Sequence, residues 1–344
     1  PSNAEVLFWL AFLDQQLTGS SEKSLAKAVD ASVKGVFPFR PESAEVFAWA
    51  TGVTSNWKPK YLLGLIYWSK NQQAKARELF EACGNRPEFA PLYAARAELI
   101  KESALQDIQK AAELDPLQWR YGKQLIQYYI AQKKYSDALR VAQDYDKRIP
   151  NDFRIRLLLA KTYLLEEKYA PCNEVLSKTT VLPYEGSREG HALYREAWLM
   201  QAIEKINGKK YSEALSMIAK ARLYPVNLGV GKPYDEDIDS RAEFFLEGLC
   251  YEGMKKADKA ASSWQSVTGQ KANADINNLV TAWALRKQGK GAEGEKLLSD
   301  WLSQSPGPTA KWCMEIYQGK ASAWDFGSEP DGTRVVEEMV ILVR

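Results

Sequence analysis

The sequence predicts an all-α protein, an α-solenoid of antiparallel helix pairs. The first observation behind this prediction is a spacing of small and aromatic residues that occurs twice, with separations of three, nine and four residues. The two copies are Gly64, Tyr67, Ala76 and Phe80, and Gly248, Tyr251, Ala260 and Trp264. A residue pattern that recurs at a period close to the length of one helical hairpin is typical of repeat proteins.

The second observation is a small residue that recurs in phase with these copies. Its positions are Ala76, Ala104, Ala138, Cys172, Ala214, Ala260 and Gly294. Three of the six gaps are 34 residues, and prolines such as Pro116 and Pro150 follow at the same spacing. Where two helices of a pair cross, the small residue lets the backbones approach, and aromatic side chains fill the space beside it. Proline then ends the second helix because it cannot continue one.

This pattern resembles the tetratricopeptide repeat (TPR) family over roughly residues 57–306, about seven helix pairs. The resemblance implies the fold, and it implies no catalytic residue because the pattern residues are packing residues. A narrower resemblance rests on residues 37–43, 181–195 and 224–233. These segments are similar to the C-terminal repeat region of large bacterial proteins that carry an uncharacterised, sugar-related β-sandwich domain upstream. That resemblance implies a fragment of a longer protein.

The flanks are predicted to close the array, since an open end would leave an apolar face in water. Residues 1–56 are expected to form N-terminal capping helices at 4–17, 22–34 and 42–52. Residues 307–344 are expected to form a C-terminal helix near 309–319 and a short tail. The β-branched end of the tail fits a strand or a capping helix, and periodicity does not separate the two.

Composition excludes several classes of function. The 344 residues contain 46 Lys and Arg against 44 Asp and Glu, and this balance argues against a general nucleic-acid binder. No apolar run approaches the roughly 20 residues that span a bilayer, which predicts no membrane insertion. His191 is the only histidine, so a multi-histidine metal site is excluded. The four cysteines form no CxxC pair and are interpreted as buried thiols, which fits a cytoplasmic protein by default and a periplasmic one if a signal was removed.

No enzyme template is complete. Gly229 to Lys232 contains a Gly-x-Gly-Lys, but Val226 and Pro233 stand where a phosphate-binding loop needs glycine and Ser or Thr. Asp235, Asp237 and Asp239 start like a calcium loop without its glycine and glutamate, and an acidic helix N-terminus is the preferred interpretation. The prediction is a protein without catalytic activity, cofactor or metal.

Two insertions provide the first group of candidate binding residues. Residues 183–190 and 226–239 are not needed by regular helix pairs, and they flank one repeat, so they should emerge on neighbouring edges. Structured loops on a rigid scaffold often carry function, although these could also fill a bend in the superhelix. The candidates are Tyr184, Glu185, Arg188, His191, Asn227, Lys232 and Tyr234.

The inner surface of the array provides the second group. First helices of such pairs line a concave groove, and residues 117–161 contain ten Lys or Arg against four Asp or Glu. This stretch is either a solvated face or a basic groove for an acidic or carboxylate-ended peptide. The groove candidates are Lys58, Tyr61, Trp68, Arg120, Lys123, Gln127, Arg154 and Lys161.

These features together predict a non-catalytic scaffold for protein interaction. The expected partner is a peptide segment or a neighbouring domain of the same full-length chain. The alternative is an accessory module of a carbohydrate-binding or carbohydrate-processing protein, in which Tyr184 and Tyr234 would contact the sugar.

Overall fold

The structure, a computed structural model, describes residues 3–270, 273–320 and 327–343. Within these ranges it contains nineteen α-helices and two short 3₁₀ segments and no strand, which confirms the predicted all-α helical-repeat fold. The helices are α1 (Ala4–Thr18), α2 (Glu22–Asp30), α3 (Pro41–Val53), α4 (Trp57–Ser69), α5 (Gln73–Ala82), α6 (Ala90–Leu99), α7 (Ala104–Leu114), α8 (Trp119–Ala131), α9 (Tyr135–Arg148), α10 (Phe153–Leu165), α11 (Tyr169–Ser177), α12 (Glu189–Asn207), α13 (Tyr211–Ala221), α14 (Arg241–Gly253), α15 (Ala257–Thr268), α16 (Asn277–Lys287), α17 (Gly291–Gln304), α18 (Pro308–Tyr317) and α19 (Thr333–Val343). None of the described helices is long and apolar enough to cross a membrane.

The chain divides into two compact units, one up to Leu125 and one from Ile126 onward. In the first unit, α1 packs on α2 and α3, and α3 packs on α4. Phe8 and Phe47 meet edge to face with ring centroids 5.6 Å apart at the centre of this packing. The pairs α4/α5 and α6/α7 follow.

The second unit contains the pairs α10/α11, α12/α13, α14/α15 and α16/α17. The first helices of successive pairs also pack on each other, in the order α10, α12, α14, α16 and α18. Among the described residues, the second helices α11, α13, α15 and α17 have no direct packing of comparable extent. The surface formed by α10, α12, α14 and α16 is here called the first-helix face.

Close backbone approach explains the small residues of the repeat. A Cβ atom placed on Gly64 would lie 2.5 Å from the Phe80 ring, and one on Gly248 would lie 2.2 Å from the Trp264 ring. Each aromatic ring therefore lies directly over the glycine of its own helix pair. This contact confirms the packing role that the spacing predicts for these four residues.

A fixed turn explains why the spacing within a pair is constant. The backbone N–H of Lys256 donates to the carbonyl of Tyr251 at 2.9 Å, and the intervening Lys255 has φ 59°. This is the Schellman arrangement, in which a left-handed residue ends a helix. The carbonyls of Tyr67, Tyr129 and Tyr163 each accept the same bond, at 2.8 to 2.9 Å, from the backbone N–H of the residue five positions later in the chain.

The end of the chain folds back onto the second unit. The tail, for which sequence periodicity did not separate strand from helix, forms α19. This helix packs on α12 and α16. Val335, Val336 and Met339 are at most 1% exposed there. Residues 327–343 are called the tail segment below.

Candidate functional site

The two insertions meet in the second unit. The backbone N–H of Val181 donates to the carbonyl of Asn227 at 2.8 Å. The Asn227 side chain donates to the carbonyls of Leu176 and Thr179 at 2.9 and 2.7 Å. Asn227 thus caps the carbonyl end of α11 and fixes the second insertion to it. Gly229, with φ 67°, brings its backbone so close that a Cβ would lie 2.7 Å from the Val181 carbonyl oxygen.

A cavity of about 260 Å³ lies between α12, the end of α13, the second insertion and the start of α14. We call it the insertion cavity. The residues that give it its chemical character are His191, Arg195, Arg222, Tyr224, Lys232 and Glu243. Two of the sequence-derived candidates, His191 and Lys232, are therefore brought together, whereas Tyr184 and Tyr234 do not line this cavity.

His191 is held in a defined protonation state. Its ring stacks on Tyr224 with centroids 3.7 Å apart, and the residue is 9% exposed. Burial first, and the positive charge of Arg195 second, lower the pKa of His191 to about 4. A hydrogen bond to the Leu223 backbone occupies one ring nitrogen, and Nε2 has no partner among the described residues. At neutral pH, Nε2 is therefore a buried hydrogen-bond acceptor.

The charged side chains around the cavity are largely paired. Arg195 binds Glu243 through two bonds of 2.6 Å, and it also donates to the Asp239 carbonyl at 3.3 Å. Arg222 pairs with Glu247 at the neighbouring wall. Lys232 and Asp235 form an exposed ion pair of 2.7 Å. The cavity can accept a polar, nearly neutral group without a large electrostatic penalty.

The His191 environment predicts a specific pH effect on stability. The folded protein has a lowered His191 pKa, so its contribution is complete above pH 6.5 and is lost as the pH falls toward 4. In urea unfolding, wild type should lose about 1.4 kcal/mol per pH unit in this window relative to His191→Phe, which cannot titrate. The comparison is clean because the chain has one histidine. A difference between the two proteins that stays constant from pH 7 to pH 5 would contradict the assignment.

Three groove candidates of the first unit serve packing and capping. Lys58 Nζ donates to the carbonyls of Val29 and Ala31 at 2.6 and 2.7 Å, at the end of α2. Tyr61 is 2% exposed, and burial raises its pKa. Trp68 packs edge to face on Phe80 with centroids 6.1 Å apart. Each of these contacts supports the helix pairs of that unit.

The other candidates differ in exposure. Arg120, Lys123, Gln127, Glu185 and Arg188 are exposed, and the Arg120 guanidinium lies 4.7 Å from the Trp119 ring centre. Tyr184 and Tyr234 are 55% and 77% exposed. Arg154 is half-buried and bonds to Asp152. Lys161 is buried, and its Nζ lies 2.8 Å from Glu329 of the tail segment.

Most arginines of the basic stretch are matched by its acidic residues. The ion pairs are Arg140 with Asp137, Arg148 with Asp144, Arg154 with Asp152, and Arg156 with Asp146. Paired surface charges attract a third charge only weakly. The local surplus of positive charge in the second unit therefore rests on its lysines more than on the arginines that bidentate carboxylate recognition would use.

The tail segment contacts the first-helix face at Lys161, which the sequence analysis named, and at Glu196, which it did not name. Arg334 Nε donates to Glu196 Oε1 of α12 at 2.8 Å. Glu196 is 2% exposed. The sequence signal for Glu196 is a carboxylate whose neighbours three and four positions away on the helix, Leu193, Ala192, Leu199 and Met200, are all apolar.

Comparison with known proteins does not assign a function to this chain. No protein-family model matches the chain, and no curated protein matches its sequence. A tetratricopeptide repeat protein from Parabacteroides merdae aligns with a TM-score of 0.47 and 12% identity, over 76% of this chain and 98% of that chain. The structure of Naa15/Naa10 bound to HypK aligns with a TM-score of 0.46 and 14% identity, over 94% and 45%. The Cut9–Hcn1 structure aligns with a TM-score of 0.39 and 13% identity, over 89% and 58%.

Proposed function

We propose that the chain is a non-catalytic scaffold that holds a helical segment of a partner protein on the first-helix face of its second unit. The observation that carries this proposal is α19, which lies on α12 and α16 of that face. An amphipathic helix laid into a groove is a recurring mode of peptide recognition. This face already presents the contacts that such a mode requires.

Those contacts have the anatomy of an interface. Val335, Val336 and Met339 form a fully buried apolar centre. Charged contacts flank it, with Lys161 bonded to Glu329 and Glu196 bonded to Arg334. A desolvated apolar centre with polar contacts around it is where binding energy concentrates in protein interfaces.

The insertion cavity adjoins this surface through Arg195. The same guanidinium that binds Glu243 at the cavity wall lies 3.6 Å from the position of a Cβ on Gly332, at the start of the docked helix. A partner that continues past its helix could therefore reach the cavity. Its acceptor at His191 suits an amide or hydroxyl group better than a cation, because Arg195 lies beside it.

The cysteines support a role without covalent chemistry. All four are buried free thiols, as the sequence predicts. Burial raises the pKa of Cys83, Cys250 and Cys313 to about 12. A thiol that stays protonated at neutral pH is a poor nucleophile.

Selection from a displayed library of helical peptides tests the proposal. We expect the selection to yield peptides that bind wild type or Arg334→Glu. The same peptides should bind Glu196→Arg at least tenfold more weakly. The matched control is Glu204→Arg, the same change at an exposed position of the same helix, which should retain binding. Circular dichroism would verify that both variants fold. Absence of binders, or equal loss in both variants, would overturn the proposed site.

Carbohydrate binding is the second candidate. Tyr184 and Tyr234 are exposed aromatic residues on the two insertions that meet at Val181 and Asn227. Exposed aromatic faces next to polar groups suit the apolar face of a sugar ring. A glycan array probed with wild type, Tyr184→Ala and Tyr234→Ala decides this candidate, and silence across the array would remove it.

A further inference from the structure

We infer that the tail segment occupies the first-helix face as an intramolecular ligand and competes with the partner for it. The partner is expected to carry the same pattern of binding residues as the tail. The pattern is a basic residue followed by apolar residues one, two, five and six positions later, as in Arg334, Val335, Val336, Met339 and Val340. This inference rests on the proposed function and adds the chemistry of the partner and the regulation of the site.

The tail segment lies where a ligand would lie and not where an end cap would lie. The last helix pair is already covered by α18, which packs on both α16 and α17 and buries Trp312 and Cys313. The tail instead returns to helices far back in the sequence. Its ion pairs join residues separated by 138 positions, Glu196 to Arg334, and by 168 positions, Lys161 to Glu329. Closing the end of the array does not require such a return.

The polar contacts of the docked tail are incomplete. Glu196 Oε2 is buried without a hydrogen-bond partner among the described residues. Arg334 Nη2 lies 2.8 Å from Glu196 Oε1, but neither Nη1 nor Nη2 has an aligned acceptor in the described part of the chain. Buried polar groups without aligned partners cost free energy that exists only while the tail is docked. The tail therefore binds less tightly than its buried apolar residues alone would allow.

Charge repulsion also opposes the docked state. Burial first, and the negative charge of Glu167 second, raise the pKa of Glu338 on α19. Burial and the neighbouring Glu338 raise the pKa of Glu337. Glu338 lies near Glu167 only when α19 is in place, whereas Glu337 and Glu338 are adjacent on the same helix. Incomplete pairing and like charges make the docked tail exchangeable with a better-matched helix.

The face itself specifies what can replace the tail. With the tail docked, Glu196 and Lys161 of the first helices are 2% and 7% exposed, and a helix that replaces the tail would again shield both charges from water. A buried charge without a partner is costly, so a competing helix must bring a base to Glu196 and an acid to Lys161. In the tail, the acid Glu329 precedes the base Arg334 by five residues. An apolar helix without these charges is excluded by the same argument.

The inference is tested on the full chain with a labelled synthetic peptide of residues 327–343 as the probe. In Arg334→Glu, the chain's own tail is repelled by Glu196 while the face is unchanged. Fluorescence anisotropy should show that this variant binds the wild-type peptide at least tenfold more tightly than the wild-type chain does. Hydrogen exchange should show loss of protection at residues 333–343 and unchanged protection in α14 and α15. The milder variant Glu329→Lys, at a side chain 73% exposed beside Lys161, should give a smaller increase in the same direction.

A charge exchange supplies the specificity control. A peptide with Arg334→Glu should not bind the Arg334→Glu chain, and it should bind the Glu196→Arg chain, whose own Arg334 is repelled from the face. Equal peptide affinity for wild type, Arg334→Glu and Glu329→Lys would overturn the competition and leave the proposed function standing. Failure of every chain to bind the peptide, while the variants remain folded, would overturn the assignment of the tail as a ligand. The proposed function is removed only by the display selection, through the absence of binders or through equal loss in Glu196→Arg and Glu204→Arg.

Discussion

Replacing Arg241 by methionine is expected to destabilise the second unit by about 3 kcal/mol, since removing one partner of a buried ion pair typically costs about 3–5 kcal/mol. Arg241 is completely buried at the start of α14. Its Nη2 lies 2.6 Å from Asp239 and 2.9 Å from Asp275, and its Nη1 donates to Asn278 at 3.1 Å. Methionine would fill much of the volume but leave two carboxylates facing each other. The lower end of the range is expected because both aspartates retain some contact with water.

The location of the effect is as specific as its size. Asp239 ends the second insertion and Asp275 precedes α16, so Arg241 ties the insertion to the next helix pair. Hydrogen exchange should therefore accelerate first around α14 and α16, and local measurement is appropriate because repeat arrays need not unfold in one step.

Arg140→Met is the matched control, since Arg140 is 69% exposed in a surface ion pair and should change stability by less than about 0.5 kcal/mol. Adding Asp275→Asn to Arg241→Met should recover part of the loss, and equal losses for Arg241→Met and Arg140→Met would refute this role.

Replacing Gly248 by leucine is expected to cost about 3 kcal/mol, the upper part of the range for overpacking a well-filled core. The Trp264 ring occupies the space that any side chain at position 248 needs, and Trp264 is 5% exposed with Phe245 packed beside it at 5.1 Å. The ring cannot swing toward solvent without opening the α14/α15 pair. Thermal unfolding followed by tryptophan fluorescence would report both the loss and the displaced ring.

Gly208→Leu provides the matched control for this substitution. Gly208 is exposed at the end of α12 with φ −79°, and a Cβ there would be 3.4 Å from its nearest neighbour. Leucine should therefore be tolerated with a change below about 0.5 kcal/mol. Similar melting temperatures for the Gly248 and Gly208 variants would mean that the small residue of the repeat is not a close-approach position.

The candidate site was only partly accessible from the sequence. Loop length and composition predicted binding residues in the two insertions, and the structure places His191 and Lys232 in one cavity. Exposure of a candidate could not be derived in the same way, because Tyr61 and Trp68 have the polar or aromatic character of binding residues and yet pack within a helix pair. Lys58 likewise caps a helix that ends 28 residues before it.

The sequence by itself determined the helical hairpin and its register. Those features depend on contacts between residues about 16 positions apart, such as Gly64 with Phe80, and helix geometry fixes which of these face each other. The tertiary structure alone decided that the tail is a helix, that it lies on the first-helix face, and that Arg334 meets Glu196 across 138 positions. Local periodicity carries no information about such pairs, because their meeting depends on the accumulated rotation of all the helix pairs between them.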